Sequence, residues 1–359
     1  MNLYVHFPFC RRKCAYCALL SRAGTSLAAR AGYVQRLVDE VRTRATAAPV
    51  VFETVYFGGG TPALCDLRPL FDALRPHLAA TVEFTVELHP QDATDAVFAM
   101  LRDGGVNRIS LGVQSLDDAA LMAMGRLHTA DEAEAAFRRV RAAGFANAGV
   151  DLIAGWLGTD AAMWRQTLAR VVDWGIDHAS VYTLIREPNT QLDRFVRSGR
   201  VALPDDAAAL AQVDAAQTVF AAAGLMRYEV SNYARSGRVC RHNFAVWHGE
   251  DYWGLGEGAH GREGVRRTVG TRNGYSTETR DAASDALERA LFAFRLPQEG
   301  LDLAEAVRRW PVLAARLPGW RRTLAAFVET GVARQLAPDR FALTGRGLEV
   351  CDAVLAELI

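Results

Sequence analysis

Three of the six cysteines in this 359-residue chain stand together near its start, in Cys10-Arg11-Arg12-Lys13-Cys14-Ala15-Tyr16-Cys17. Thiols spaced four and then three residues apart admit three readings. On a helix they would share one buried face, but Pro8 and the neighbouring cations Arg11, Arg12 and Lys13 do not make an apolar face. As zinc ligands they need a fourth donor to close the site, and no nearby Cys/His pair supplies it unless His6 or a remote residue does. As ligands of an iron–sulfur cube, which normally takes four cysteine thiolates, three would leave one iron open. That iron could chelate the amino and carboxylate groups of a small molecule. The adjacent cations are expected to lower the thiol pKa values and offset the cluster's negative charge. Spacing alone leaves all three readings open.

Other candidates follow along the chain. Gly58-Gly59-Gly60-Thr61-Pro62 is a loop whose glycines let the backbone come close to a ligand and present N–H groups to an anion. Glu87 lies in Val86-Glu87-Leu88-His89-Pro90, and Gln114 ends Ser110-Leu111-Gly112-Val113-Gln114. Arg126 lies in Met124-Gly125-Arg126-Leu127-His128, and Asp151 in Gly149-Val150-Asp151-Leu152. Singly, each reads as a surface charge or a helix cap. As a set they fall at successive strand ends, where a barrel builds its pocket.

The elements that must position them are β-rich runs over 2–7, 53–57, 81–88, 108–114, 149–154 and 178–184. They alternate with helical patterns over 27–44, 92–102, 130–143, 163–174 and 205–223. Six consecutive βα units predict an α/β fold, either a parallel barrel or a doubly wound sheet. Polar and glycine-rich motifs after successive strands favour the barrel. The expected organisation is a partial (β/α)6 barrel over 1–227 and a loop-rich segment over 228–281 that carries Cys240, His242, Trp247 and His260. A mostly helical, winged-helix-like domain over 282–359 completes it. That last region holds ten arginines and ten acidic residues, which leaves no basic stripe for a nucleic acid.

Bulk composition narrows the class. Half the residues are hydrophobic, and Lys+Arg and Asp+Glu both number 41, so charge demands neither nucleic acid nor an anionic membrane. Lys13 is the one lysine in the chain, which fits genomic bias. No apolar run approaches the roughly 20 residues of a membrane span, and the start shows no signal-peptide pattern. A cytoplasmic, reducing compartment is the expectation, and there clustered cysteines point to metal or redox chemistry.

C-x3-C-x2-C with an aromatic before the last cysteine resembles the radical S-adenosylmethionine (SAM) superfamily. The resemblance implies a [4Fe–4S] cluster on Cys10, Cys14 and Cys17, SAM on the open iron, and a reduced cluster that cleaves SAM to a 5′-deoxyadenosyl radical. The remaining motifs are similar to the oxygen-independent coproporphyrinogen III oxidase family over essentially the whole chain. They include Tyr228–Ala234, Cys240–Asn243, Gly254–His260, Leu291–Leu303 and Leu343–Gly347. The resemblance places Tyr4, Gly59, Gly60, Thr61, Glu87, Gln114, Arg126 and Asp151 on SAM-contacting positions.

Leu19 stands where the decarboxylating oxidases have a fourth cysteine, and the cluster motif begins too early for their N-terminal extension. Both features resemble the heme-chaperone (HemW-type) branch and imply that coproporphyrinogen dehydrogenase activity is absent. His242-Asn243 falls on that branch's heme-associated motif and makes His242 the candidate heme ligand, a role imidazole suits. The alternative for His242 is a structural histidine. Implied partners are heme, a recipient hemoprotein and a flavodoxin- or ferredoxin-type reductant. The chain departs from the pattern at Val246, Ala18-Leu19, Gly155–Asp160 and His89. An enzyme oxidising a tetrapyrrole, or a related radical SAM methyltransferase or cyclopropanase, is the alternative.

Overall fold

The computed structural model describes residues 1–359. Its first part carries strands β1 (Asn2–Phe7), β2 (Phe9–Cys10), β3 (Arg22–Ala23), β4 (Phe52–Gly59), β5 (Leu78–Leu88), β6 (Arg108–Gln114), β7 (Asn147–Ala154) and β8 (His178–Thr183). Helices α1 (Leu27–Ala47), α2 (Arg68–Leu74), α3 (Asp95–Asp103), α4 (Asp118–Met124), α5 (Ala130–Ala142), α6 (Ala161–Asp173), α7 (Gln191–Arg197) and α8 (Asp206–Ala222) connect them. Strands β1, β4, β5, β6, β7 and β8 pair in that order, all parallel. This is the partial barrel of six βα units, built from Val-, Ile- and Phe-rich runs buried on both faces as parallel strands require.

Local chemistry sets the helix ends. Thr129 and Glu132 form a reciprocal capping box at the start of α5, which satisfies two otherwise unpaired N–H groups. Gly125 ends α4 with φ of 79°, a left-handed conformation that glycine adopts without a Cβ penalty. Arg126 therefore leaves the helix turned toward the strand ends.

The stretch 228–281 is richer in strands than its sequence suggests. After β9 (Met226–Arg227), it holds β10 (Asn232–Ala234), the short helix α9 (Arg241–Trp247), β11 (Tyr252–Leu255), β12 (His260–Glu263), β13 (Arg266–Thr271) and β14 (Gly274–Thr279). Strand β11 joins β1 in parallel, and β12, β13 and β14 continue antiparallel from it, so the sheet reaches twelve strands. Glycines obscured these strands, although Gly254, Gly261 and Gly270 sit where a Cβ would meet a neighbouring backbone or side-chain atom within 2.6 Å. Glycine in a strand marks such close approach.

Helices α10 (Ala282–Leu291), α11 (Leu303–Arg309), α12 (Leu317–Glu329), α13 (Gly345–Glu349) and α14 (Cys351–Ala356) form the last part. Its small sheet is ordered β15 (Leu301–Asp302), β17 (Arg340–Leu343), β16 (Ala333–Ala337). This region has its own apolar core of 18 buried residues around Phe294, Trp320 and Leu324, separate from the 52-residue core of the barrel. Buried ion pairs tie the two parts together. Arg227 on β9 donates to Glu349 at 2.8 Å, and both are nearly enclosed. No helix is long and apolar enough to cross a membrane.

Candidate functional site

A cavity of about 920 Å³ opens at the C-terminal ends of the barrel strands. Its lining includes Cys10, Cys14 and Cys17 from the loop after β1, Gly59, Gly60 and Thr61 after β4, and Glu87 from β5. Gln114 of β6, Arg126 and Asp151 of β7 complete that wall. Ten of the twelve residues expected at the site are thus brought together. Tyr4 and His242 are not.

The cysteine loop is held at several points. Arg22 N–H donates to Pro8 O at 2.8 Å, which closes the loop's base beside the β2–β3 pair. At its centre Ala15 N–H donates to Met124 O and Ala15 O accepts from Leu192 N–H, both at 2.8 Å. Tyr16 packs edge-on to Trp156 with ring centroids 6.0 Å apart, which explains an aromatic before the last cysteine. His6 fixes the far side: its Nε2 bonds Leu20 O at 2.9 Å and its Nδ1 the Tyr4 hydroxyl at 3.1 Å. Both nitrogens are engaged, so His6 is a loop anchor and not a fourth ligand. No three His, Cys, Asp or Glu side chains converge on one ion-sized point. Three thiols bordering one cavity are a donor set that suits an iron–sulfur cluster with one iron left open.

Electrostatics revise one expectation. Burial pushes the Cys10 and Cys17 thiols above their ordinary value, and the nearby cations only partly oppose it. Arg126 Nη1 lies 3.5 Å from Cys14 Sγ, and its Nη2 bonds Gly112 O. A guanidinium there offsets thiolate charge once a metal displaces the protons. The donor set therefore fits a [4Fe–4S] cluster, which Cys10, Cys14 and Cys17 would hold.

The glycine loop also works differently from its expected role. The N–H groups of Gly59, Gly60 and Thr61 are all taken, by Glu87 Oε2 at 3.1 Å, Phe7 O at 2.8 Å and Phe9 O at 2.7 Å. They are not free to hold an anion. The glycines instead allow contact with the cysteine loop's root. A Cβ on Gly59, where φ is 101°, would lie 2.4 Å from the His6 ring, and one on Gly60 would lie 2.4 Å from Phe9 O.

On the cavity wall sits a half-buried acidic pair. Glu87 accepts from Tyr56 at 2.8 Å, and Asp151 accepts from Ser110 at 3.0 Å. Burial, reinforced by Asp151, pushes the Glu87 carboxyl up to about 7. The folded protein then holds a proton that the unfolded chain releases near 4.5. Since the native state binds more protons in that window, its stability falls as pH rises from about 4.5 to 7. Glu87→Gln, neutral throughout, is expected to show a smaller fall in melting temperature between pH 5 and 7.5 than the parent. Parallel melting curves across that range would sink this reading.

His242 lies elsewhere. It starts α9, which plugs the opposite end of the barrel, with Nδ1 bonded to Thr54 Oγ1 at 2.9 Å. Its ring packs 5.4 Å from that of Tyr56 and 6.4 Å from that of Tyr4. Tyr4 stands in that same layer, beneath the cavity. Burial, and then Arg108, lower the His242 pKa to about 3, so the ring is neutral. Trp247 of the same motif donates to Glu229 at 3.0 Å and packs on Phe292. The motif fastens the plug helix to the segment after β9 and to the C-terminal region.

Sequence reading missed the cavity's second wall, formed by Arg227, Arg295 and residues 348–353. Cys351 is buried and also borders the cavity. Leu19, Leu127, Tyr182, Ile185 and Val350 rim the opening and are exposed despite their size, Ile185 by 65 %. No local motif marks these residues, because they come from four separate segments.

The Radical SAM superfamily profile matches residues 4–171. The heme chaperone HemW of Mycobacterium tuberculosis is 35% identical over 375 residues, covering 100% of this chain and 94% of that protein. HemW of Escherichia coli is 34% identical over 76% of this chain and 74% of its own length. Among solved structures, the E. coli coproporphyrinogen III oxidase HemN, a radical SAM enzyme, superimposes with a TM-score of 0.84. It is 19% identical and is covered over 99% of this chain and 89% of its own. With three thiols at the strand ends of a radical SAM fold and full-length similarity of this degree, the chain belongs to the HemW family of the radical SAM superfamily.

Proposed function

We propose that this protein is a heme chaperone that binds heme in the strand-end cavity and passes it to a recipient hemoprotein. In this reading a [4Fe–4S] cluster sits on Cys10, Cys14 and Cys17, and SAM lies against Gly59–Thr61, Glu87, Gln114, Arg126 and Asp151. When reduced, by an external flavodoxin- or ferredoxin-type donor, the cluster would supply an electron to SAM. This chain's own groups bind, orient and shield the ligands.

The observation that carries the proposal is the cavity's composition. It is large, and its rim exposes the apolar side chains Leu19, Leu127, Tyr182, Ile185 and Val350 together with the cation Arg12, while the half-buried Arg295, paired with Asp352, lines the wall behind them. Exposed apolar groups gathered at one opening mark a binding surface. A flat apolar macrocycle with two carboxylates matches apolar contacts interleaved with guanidinium groups. The names of the full-length relatives agree with this reading.

Anaerobic heme titration of the reconstituted protein, with and without SAM, tests it. Saturation near one heme per chain is expected. His242→Ala is expected to keep the same affinity, because that ring faces the barrel's interior. Ile185→Asp should weaken binding about tenfold, from lost apolar burial and a charge set against the macrocycle. No saturable heme binding would sink the proposal and direct attention to altered tetrapyrrole or methylated products. Loss of heme in His242→Ala with Ile185→Asp unaffected would move the heme to the plug helix.

A further inference from the structure

His89 closes β5 and enters the turn Pro90–Asp92 with its ring on the cavity wall. Its Nδ1 accepts a hydrogen bond from Gln91 N–H at 3.2 Å. An accepting Nδ1 carries no proton, so the neutral ring has its hydrogen on Nε2. Its Nε2 makes no hydrogen bond to the protein. The ring borders the cavity, so a donor of fixed tautomer is available to a ligand there.

The charged side chains that act most directly on it are cationic. Arg126 commits its two terminal nitrogens to Cys14 and Gly112 and keeps a buried Nε without a partner. His128 packs edge-on to His89 with centroids 5.0 Å apart, and its Nε2 is engaged by Val113 O. Asp92, the carboxylate of the turn, engages Arg11 through Oδ1 at 2.5 Å and keeps a buried Oδ2 without a partner. Burial, then Arg126, His128 and Arg11, hold the His89 pKa down to about 2, so the ring remains a neutral donor at any working pH. A ligand carboxylate is the group that would answer an unpartnered imidazole N–H beside an arginine.

We propose that His89 is a further ligand-positioning residue, whose Nε2–H donates to a carboxylate oxygen of the cavity's ligand while Arg126 balances its charge. The inference rests on reading the cavity as the ligand site. Two carboxylates share this chemistry, the aminoacyl carboxylate of SAM and a heme propionate, and separate titrations distinguish them.

The test uses the reconstituted full chain and compares His89→Ser with the parent. Serine can still cap the turn by accepting from Gln91 N–H, but it is too short to reach a ligand. Equilibrium binding of SAM and of heme is measured separately under anaerobic conditions. A tenfold to hundredfold weakening, about the range for a hydrogen bond to a charged group, is expected in one arm. Weakening of SAM alone assigns the aminoacyl carboxylate, and weakening of heme alone assigns a propionate. Unchanged affinity in both arms overturns the proposal while leaving the chaperone reading intact. Failure of the parent itself to bind either ligand overturns the cavity reading and this inference with it. Should His89→Ser not fold, the near-isosteric pair His89→Asn and His89→Asp carries the same test, since both can cap the turn and only the amide donates. Equal binding by that pair overturns the proposal equally.

Discussion

Replacing Cys14 by serine is expected to reduce the brown absorption of the anaerobically reconstituted protein to under about a tenth of the parent value. Iron and sulfide content should fall together. The reason lies in the ligand atom. A thiolate binds iron where a serine hydroxyl, far harder to deprotonate, does not. Two remaining thiolates cannot hold a cube that already lacks its fourth. Cys14 is also the thiol nearest Arg126 Nη1, at 3.5 Å, so the substitution removes the anion that this guanidinium faces. Cys65→Ser is the matched control: Cys65 is buried in the barrel's apolar core, away from the cavity, and its loss should leave cluster content unchanged. Full iron and sulfide in Cys14→Ser would end the cluster assignment. One zinc per chain and no iron in the parent would revive the zinc reading.

The second large effect is expected at Glu83, far from the thiols. Its carboxylate, 6 % exposed, accepts from the backbone N–H of Arg241 at 3.0 Å and of His242 at 3.1 Å. It thereby caps the N-terminus of α9, where a negative charge is favoured. It also faces the field of Arg108, a guanidinium only 1 % exposed whose closest side-chain partner is Thr85 at 3.4 Å. Glu83→Ala uncaps the plug helix and leaves a buried cation poorly compensated. Breaking a buried charge arrangement in this way costs on the order of 3 kcal/mol. In a chain of this size that is a fall of about 5 °C in melting temperature. Glu83→Gln, which keeps an acceptor, should lose about half as much. Cluster content should survive in both, because the plug and the thiols occupy opposite ends of the barrel. A melting temperature within 1 °C of the parent, for which about 0.5 kcal/mol would suffice, would show that α9 is held by packing alone.

Much of this protein was determined by short-range sequence. Cys10, Cys14 and Cys17 stay close together because only seven positions separate the first from the last. The six parallel strands followed from runs of Val, Ile and Phe whose spacing is itself the physical signal. The residues at their ends, Glu87, Gln114 and Asp151, met in one cavity because parallel strands bring their C-terminal ends to one face.

Only the tertiary structure decided the rest. The glycine loop's N–H groups turned out to be engaged by the backbone of Phe7 and Phe9 and by Glu87, because β1 and β4 pair in a register that no motif records. Local sequence put His242 beside a candidate heme, yet the cap supplied by Glu83, 159 residues away, draws it into the barrel's base. The cavity's second wall depends on residues 348–353 returning to β9 through Arg227 and Glu349, 122 positions apart. The donor state of His89 depends on a turn hydrogen bond that fixes its tautomer. Spacing along the chain constrains neighbours within a few residues. Contacts between segments a hundred residues apart are set by which burials and pairings the whole fold can satisfy together, and that information is distributed over the entire core.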